Sequence, residues 1–428
     1  GNFCADGIVG PHHEKEGSFY TIKQLWSPVQ IMNTSVDKQF DGKFSVENRY
    51  DFLNLNTCRF LWKQVKFPTA TDASNTTAQV LKQGEVQGSD VAAHSAGVLD
   101  IKTTILPDAD ALFLTAIDRY GHELWRWTFP VNKLNQANEV LSPLSNKVTS
   151  TETENELTVK AKNHTFIFSK KDGQLKGVSV NNRKISFANG PRFIGARRAD
   201  RSLDQFYNHD DEKAKEKDRT YSEFPDAAVF TKLDVKEDGG NLIVTANYKL
   251  GNLDKAQWTI NPSGDLALDY TYNFSGVVDL MGIRFDYPED QVISKRWLGA
   301  GPYRVWQNRI HGTQYDVWEN DYNDPIPGET FTYPEFKGYF GDVSWMNIQT
   351  KEGTISLTNE TPDAYIGVYQ PRDGRDRLLY TLPESGISVL NVIPPVRNKV
   401  NSTDLCGPSS QPKWVNGPQT GRVIFRFM

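Results

Sequence analysis

The sequence predicts an all-β chain, an immunoglobulin-like β-sandwich followed by a much larger β-supersandwich, and three observations predict it. Apolar and polar residues alternate with a period near two through residues 44–48, 60–65, 98–102 and 111–117, with polar or Gly-containing turns between them. Beyond residue 157, strand-like runs broken by tight turns continue to Met428, a stretch of about 270 residues without a helical stripe. That is too much for seven strands and fits two large packed sheets. The third observation is a single amphipathic helix near the start. Ser18 N-caps it, Phe19, Ile22 and Trp26 recur at helical spacing, and Pro28 stops it. One such helix has no core of its own, so it is expected to dock on a sandwich and bury those three side chains.

Taken in order, residues 1–27 carry the helix, 28–133 the small sandwich, 134–156 a linker and 157–428 the supersandwich. A chain of 428 residues fits two or three domains. The linker assignment rests on the Ser/Thr/Asn-rich run VLSPLSNKVTSTETE, poor in large apolar groups. After it, Lys171-Asp172-Gly173 and Asn181-Asn182 read as hairpin turns. No fixed repeat is visible, which disfavours a propeller.

A net charge of -5 without any basic block argues against nucleic acid and against an anionic membrane surface as partners. Cys4, Cys58 and Cys406 lie far apart without a CxxC, so neither a zinc site nor a disulfide framework is indicated. No run of 18 apolar residues occurs. Sequons at Asn33, Asn75, Asn163, Asn273, Asn359 and Asn401 matter only in a eukaryotic secretory setting.

Residues 295–345 concentrate aromatic and hydrogen-bonding side chains. Trp297, Tyr303, Trp306, Tyr315, Trp318, Tyr322, Phe331, Tyr333, Phe336, Tyr339, Phe340 and Trp345 lie there beside Arg304, Asn308, Arg309, His311, Gln314, Glu319, Asn320 and Asp321. Rings that stack on sugar faces, with polar groups for the hydroxyls, suit a carbohydrate. The competing reading makes half or more of these rings sandwich core, because aromatics favour strands and carry large apolar area. The residues expected to bind carbohydrate are Trp297, Tyr303, Asn308, Arg309, His311, Trp318 and Glu319.

The words Trp297-Leu298-Gly299-Ala300-Gly301-Pro302-Tyr303, then Asn308-Arg309 and Gly312, resemble the WLGLGPxENYxDR signature in the last domain of family 2 glycoside hydrolases of the β-galactosidase type. Arg304-Val305 replace the usual Glu-Asn pair, so the contacts of that pair do not carry over. Phe3, Cys4, Asp6, Gly7, Val9 and Pro11 resemble the end of the catalytic (β/α)8 barrel in the same enzymes, with His12-His13 in place of Asp-Arg. The chain opens without Met, and on this resemblance almost the whole barrel precedes it. Gly190-Pro191, Arg198-Ala199-Asp200 and Asn208-His209-Asp210-Asp211 resemble the segment whose loop borders the active-site mouth. Asn48, Tyr50, Phe52, Trp62, Gly84, Pro107 and Glu123-Leu124-Trp125 resemble the immunoglobulin-like domain, and the large sandwich resembles the galactose mutarotase superfamily.

The resemblance implies that both catalytic carboxylates come from barrel strands earlier than Phe3, so no catalytic residue is expected in this chain. It places Phe3 and Asp6 as a barrel remnant at a sugar pocket and a sodium ion, and Asp210 and Asp211 on a pocket-edge loop. No cofactor or metal is expected in this chain. Sodium or magnesium would belong to the full-length enzyme, and calcium is not expected because Asp210-Asp211-Glu212 lack EF-hand spacing. His12-His13 with Glu14 and Glu16 lack HExxH spacing and read as exposed loop. The expected partner is a carbohydrate, a β-galactoside or a plant or host glycan, with a homo-oligomer through the sandwich domains left open. A periplasmic or secreted bacterial location is favoured. Three functions follow: the non-catalytic C-terminal portion of a β-galactosidase-like hydrolase, a free-standing carbohydrate-binding protein, and an aldose-1-epimerase-like enzyme resting chiefly on His311 as acid or base.

Overall fold

The computed structural model describes residues 8–9, 13, 15, 17–72, 77–131, 147–198, 221–321, 338–368, 383, 385–395 and 407–428. Phe3, Asp6, Cys4, Cys406, Asp210 and Asp211, together with Tyr322, Phe331, Tyr333 and Phe336, lie outside the described residues.

The alternation in the first hundred residues folds as expected. A three-stranded sheet of Val29–Ile31, Lys43–Asn48 and Ser95–Asp100 packs on a four-stranded sheet ordered Gln79–Gln87, Arg59–Lys66, Ala111–Ile117, Glu123–Pro130. Phe44, Val46 and Leu99 of the first share one buried cluster with Phe60, Trp62, Leu112, Leu114 and Phe129 of the second. In chain order, strands one, two and five face strands four, three, six and seven, a Greek-key split of the immunoglobulin kind. Two details explain the choice of residues. Gly84 sits opposite Trp62, where any Cβ would come within 2.5 Å of the indole. The strand expected over 98–102 stops at Asp100, because its carboxylate accepts the Lys102 N–H at 2.8 Å and Lys102 turns left-handed.

The second sandwich pairs a ten-stranded sheet with a nine-stranded one. Inward residues of both form one core, with Phe166, Phe168 and Phe285 from the first, and Phe187 from the connection between two of its strands, meeting Trp258, Trp297, Phe425 and Phe427 from the second. Parallel rings and T-shaped pairs fill it, such as Phe187 on Phe285 at 4.7 Å and Trp297 against Phe340 at 4.9 Å. Both expected turns form, with Asn181 and Asn182 at φ 50° and 64° and Gly173 at 72°. The last strand, Lys413–Phe427, lies inside the nine-stranded sheet between Leu266–Val278 and Gly353–Asn359. Strand Thr149–Glu152, within the stretch expected as linker, pairs with Glu156–Ala161 at the edge of the ten-stranded sheet.

The helix spans Gly17–Leu25, so Ser18, expected as its N-cap, lies inside the first turn, and its docking differs as well. Trp26 is 77% exposed and Phe19 and Ile22 are only half-buried. Apart from the Tyr303 ring beside Tyr20, the contacts that hold the helix are polar. Lys23 pairs with Glu123 of the small sandwich at 2.7 Å, Thr21 donates to the His311 carbonyl at 2.8 Å, and Gln24 accepts the Gly312 N–H at 2.6 Å.

Candidate functional site

The aromatic stretch forms a hairpin of Val292–Gly301 and Gln314–Asp321, joined by a loop over residues 302–313. Each residue of the Trp-Leu-Gly-Ala-Gly word has a packing job. Trp297 is fully buried in the large core and donates its indole N–H to the Ala300 carbonyl at 2.9 Å. Leu298 points to the small sandwich, sharing a cluster with Val65, Phe67, Phe113, Tyr315 and Trp345. At Gly299 a Cβ would sit 3.0 Å from the backbone of Gly341, and at Gly301 it would be 2.4 Å from the Trp318 ring. Glycine is required at both by close approach.

That second cluster is a seam between the two sandwiches. Trp345 donates to the Pro68 carbonyl at 3.2 Å and Asn347 to the Ala70 carbonyl at 2.7 Å. Thr128 accepts the Tyr315 N–H at 2.9 Å. Arg126, on the last strand of the small sandwich, reaches Gln314 at 2.6 Å and Asp316 at 3.1 Å while its guanidinium lies 4.8 Å from the Phe113 ring centre. Burial pushes the Asp316 carboxyl above the usual carboxylate range, with Arg126 pulling the other way. Burial also raises Asp110, whose carboxylate accepts the Phe67 N–H at 2.8 Å beside the same seam.

The loop 302–313 ties three segments together. Val305 exchanges backbone hydrogen bonds with Tyr339, at 2.7 and 3.0 Å. Gln307 donates to the Ser409 and Gln411 carbonyls at 2.8 and 2.6 Å, and Asn308 to Ser410 at 3.1 Å. Tyr303, half-buried, donates its hydroxyl to the Lys15 carbonyl, and its ring lies tilted 5.5 Å from that of Tyr20 in the helix.

The seven residues expected to bind sugar therefore separate. Trp297, wholly buried, has no face open to a ligand, which corrects that expectation; an aromatic opposite another on a two-sheet core is filled in from both sides. Trp318, its cross-strand neighbour, is half-buried against the same core, and its N–H is taken by the Gly299 and Gln314 carbonyls. Trp306, Tyr339, Phe340 and Trp345 are likewise buried. Glu319 is exposed on the edge strand opposite Arg296. Only Tyr303, Asn308, Arg309 and His311 share one place, the loop beside the helix, with Arg309 and His311 exposed. Among the described residues no group of three or more His, Cys, Asp or Glu is placed to hold a metal.

The family profile described as beta galactosidase small chain matches residues 160–393, more than half of the chain. The chain belongs to this family. A curated β-galactosidase from Priestia megaterium (strain DSM 319 / IMG 1521) is 22% identical over 382 residues, 85% of this chain and 34% of the relative. The chain thus spans about a third of that relative's length. Among solved structures, a galactose 1-epimerase from Lactobacillus acidophilus NCFM aligns with TM-score 0.39 and 10% identity over 66% of this chain and 99% of its own. A copper-containing benzylamine oxidase from Hansenula polymorpha gives 0.26 and 6% over 86% and 77%.

The β-galactosidase resemblance read from Trp297 to Tyr303 is thereby borne out, and the word carrying it is a packing word. Sequence reasoning missed the seam residues Arg126, Asp316 and Asn347. The strand Gln314–Asp321 that carries Asp316 is mostly polar, so nothing in its pattern set Asp316 apart from Glu319 or Asp321.

Proposed function

We propose that the chain is the non-catalytic C-terminal portion of a family 2, β-galactosidase-like glycoside hydrolase, where it braces the catalytic barrel and contributes to carbohydrate binding at their junction. The observation that carries this is the polar joint at residues 302–313. There the segment resembling the end of the barrel is held to the large sandwich through Tyr303 to Lys15, Thr21 to His311 and Gly312 to Gln24. Sugar sites favour domain interfaces, and the exposed Arg309 and His311 lie on this one. The match to a third of a β-galactosidase supports a parent enzyme longer than this chain.

The chain alone is expected to leave an aryl β-galactoside unhydrolysed above background. Turnover that survives purification and vanishes on substituting a residue within the chain overturns the reading. An epimerase needs an acid and a base on one ligand. His164 is buried with Nε2 on the Phe427 carbonyl at 2.8 Å, and no described carboxylate pairs with His311, so the non-catalytic reading is the better supported.

A further inference from the structure

The nine-stranded sheet carries a second feature, remote in sequence from the aromatic stretch. On the outer face of its central strands, Lys255, Asp269, Thr271, Thr420 and Arg422 line a concave pocket of about 300 Å³, closed on one side by Glu360. We propose that this pocket binds a neutral polyhydroxylated ligand of monosaccharide size.

The argument starts from charge. Lys255 and Arg422 balance Asp269 and Glu360, so an anion meets two carboxylates and a metal ion meets two cations. A hydroxyl group, by contrast, both donates and accepts, and the pocket offers both in unused form. Arg422 binds the two carboxylates by one oxygen each, Asp269 Oδ2 at 2.5 Å and Glu360 Oε2 at 3.0 Å. The other Asp269 oxygen, Oδ1, accepts no hydrogen bond among the described residues, and the Asp269 side chain is 34% exposed. Lys255 makes no ion pair among the described residues, and the Thr271 and Thr420 hydroxyls make no hydrogen bond there.

The acceptors are also held in place, which is what a binding site needs in order not to lose ordering entropy on each encounter. Thr361 Oγ1 accepts the Arg422 N–H at 3.0 Å and donates to the Arg422 carbonyl at 3.1 Å, while the Glu360 N–H reaches that same carbonyl at 3.0 Å. Asn359 closes the turn by accepting the Thr361 N–H at 3.1 Å. Beneath the floor, Gly421 has no Cβ where one would fall 2.2 Å from the Tyr270 hydroxyl, so the two central strands keep a flat register under the pocket. Carboxylate, ammonium and hydroxyl therefore project from rigid strands and one pinned turn.

The test uses the 428-residue chain with amide resonances assigned, titrated separately with D-galactose, D-glucose, inorganic phosphate and calcium chloride. A hexose is expected to shift the amides of Thr271, Thr420 and Gly421 saturably, with millimolar affinity. Lys255→Met and Thr271→Val, neither of which removes a bond within the protein, are expected to weaken this about tenfold each with melting unchanged. Absence of hexose shifts at these amides up to about 100 mM overturns the proposal. So does a shift unaltered in the double variant, or a response to phosphate or calcium alone. Hexose shifts confined to residues 302–318 would support the junction reading above and sink this one.

Discussion

Glycines 299 and 301 and the tryptophans beside them show how much of a signature is set by packing. With Trp297 enclosed by core on all sides, Trp297→Ala is expected to cost about 3 to 5 kcal/mol, read as a lower denaturant midpoint. Gly301→Val, forced into the Trp318 ring, is expected to cost about 1 to 3 kcal/mol, and Trp318→Ala is expected to cost less in that background than it does alone. Additive losses would mean that the two side chains do not compete for one space. Asp110 gives a test with pH. Its folded pKa is raised, so stability from this group is present below the unfolded pKa and lost as pH rises through the folded one. Asp110→Asn keeps an acceptor for the Phe67 N–H without the charge. Its melting temperature relative to wild type is therefore expected to be higher at pH 7 than at pH 4; a gap that stays constant with pH would show that Asp110 is not penalised by burial.

Elements differ in how far sequence dictated them. The strands of the small sandwich, the Asn181-Asn182 turn and the helix Gly17–Leu25 were legible because each depends on local chemistry, a period or a φ preference. Docking of the helix was not, because the amphipathic stripe marks which side chains are apolar and not what lies opposite. The partner surface, Glu123 and the backbone of His311 and Gly312, comes from positions about 100 and 290 residues away. The aromatic stretch was ambiguous for a related reason. A ring in a strand suits a sugar platform and a core equally, and only the second sheet decided for Trp297. The place of Lys413–Phe427 inside the nine-stranded sheet makes an element-scale prediction. Deleting residues 413–428 removes Phe425 and Phe427 from the core and splits the nine-stranded sheet, leaving an open edge on each of the two flanking strands, so the large sandwich is expected to fail to fold while residues 28–131 keep their own cluster. Native-like amide dispersion from residues 157–368 in the truncated chain would contradict this.

At the scale of the whole molecule the seam decides whether two sandwiches act as one body. Leu298, Tyr315 and Trp345 on one side meet Val65, Phe67 and Phe113 on the other, and the Arg126 to Asp316 pair crosses beside them with side chains 24% and 16% exposed. A mostly buried pair gains little over apolar replacements, yet loses much when one partner is left alone. Asp316→Ala is accordingly expected to cost about 2 to 3 kcal/mol, the partial exposure lowering the usual figure, and to split one cooperative transition into two. The double variant Arg126→Leu, Asp316→Leu removes both charges and is expected to regain most of that loss and restore a single transition. Differential scanning calorimetry of the three proteins separates the outcomes. If the single and double variants melt alike, the pair contributes nothing to the joint, and the apolar cluster alone holds the two sandwiches together.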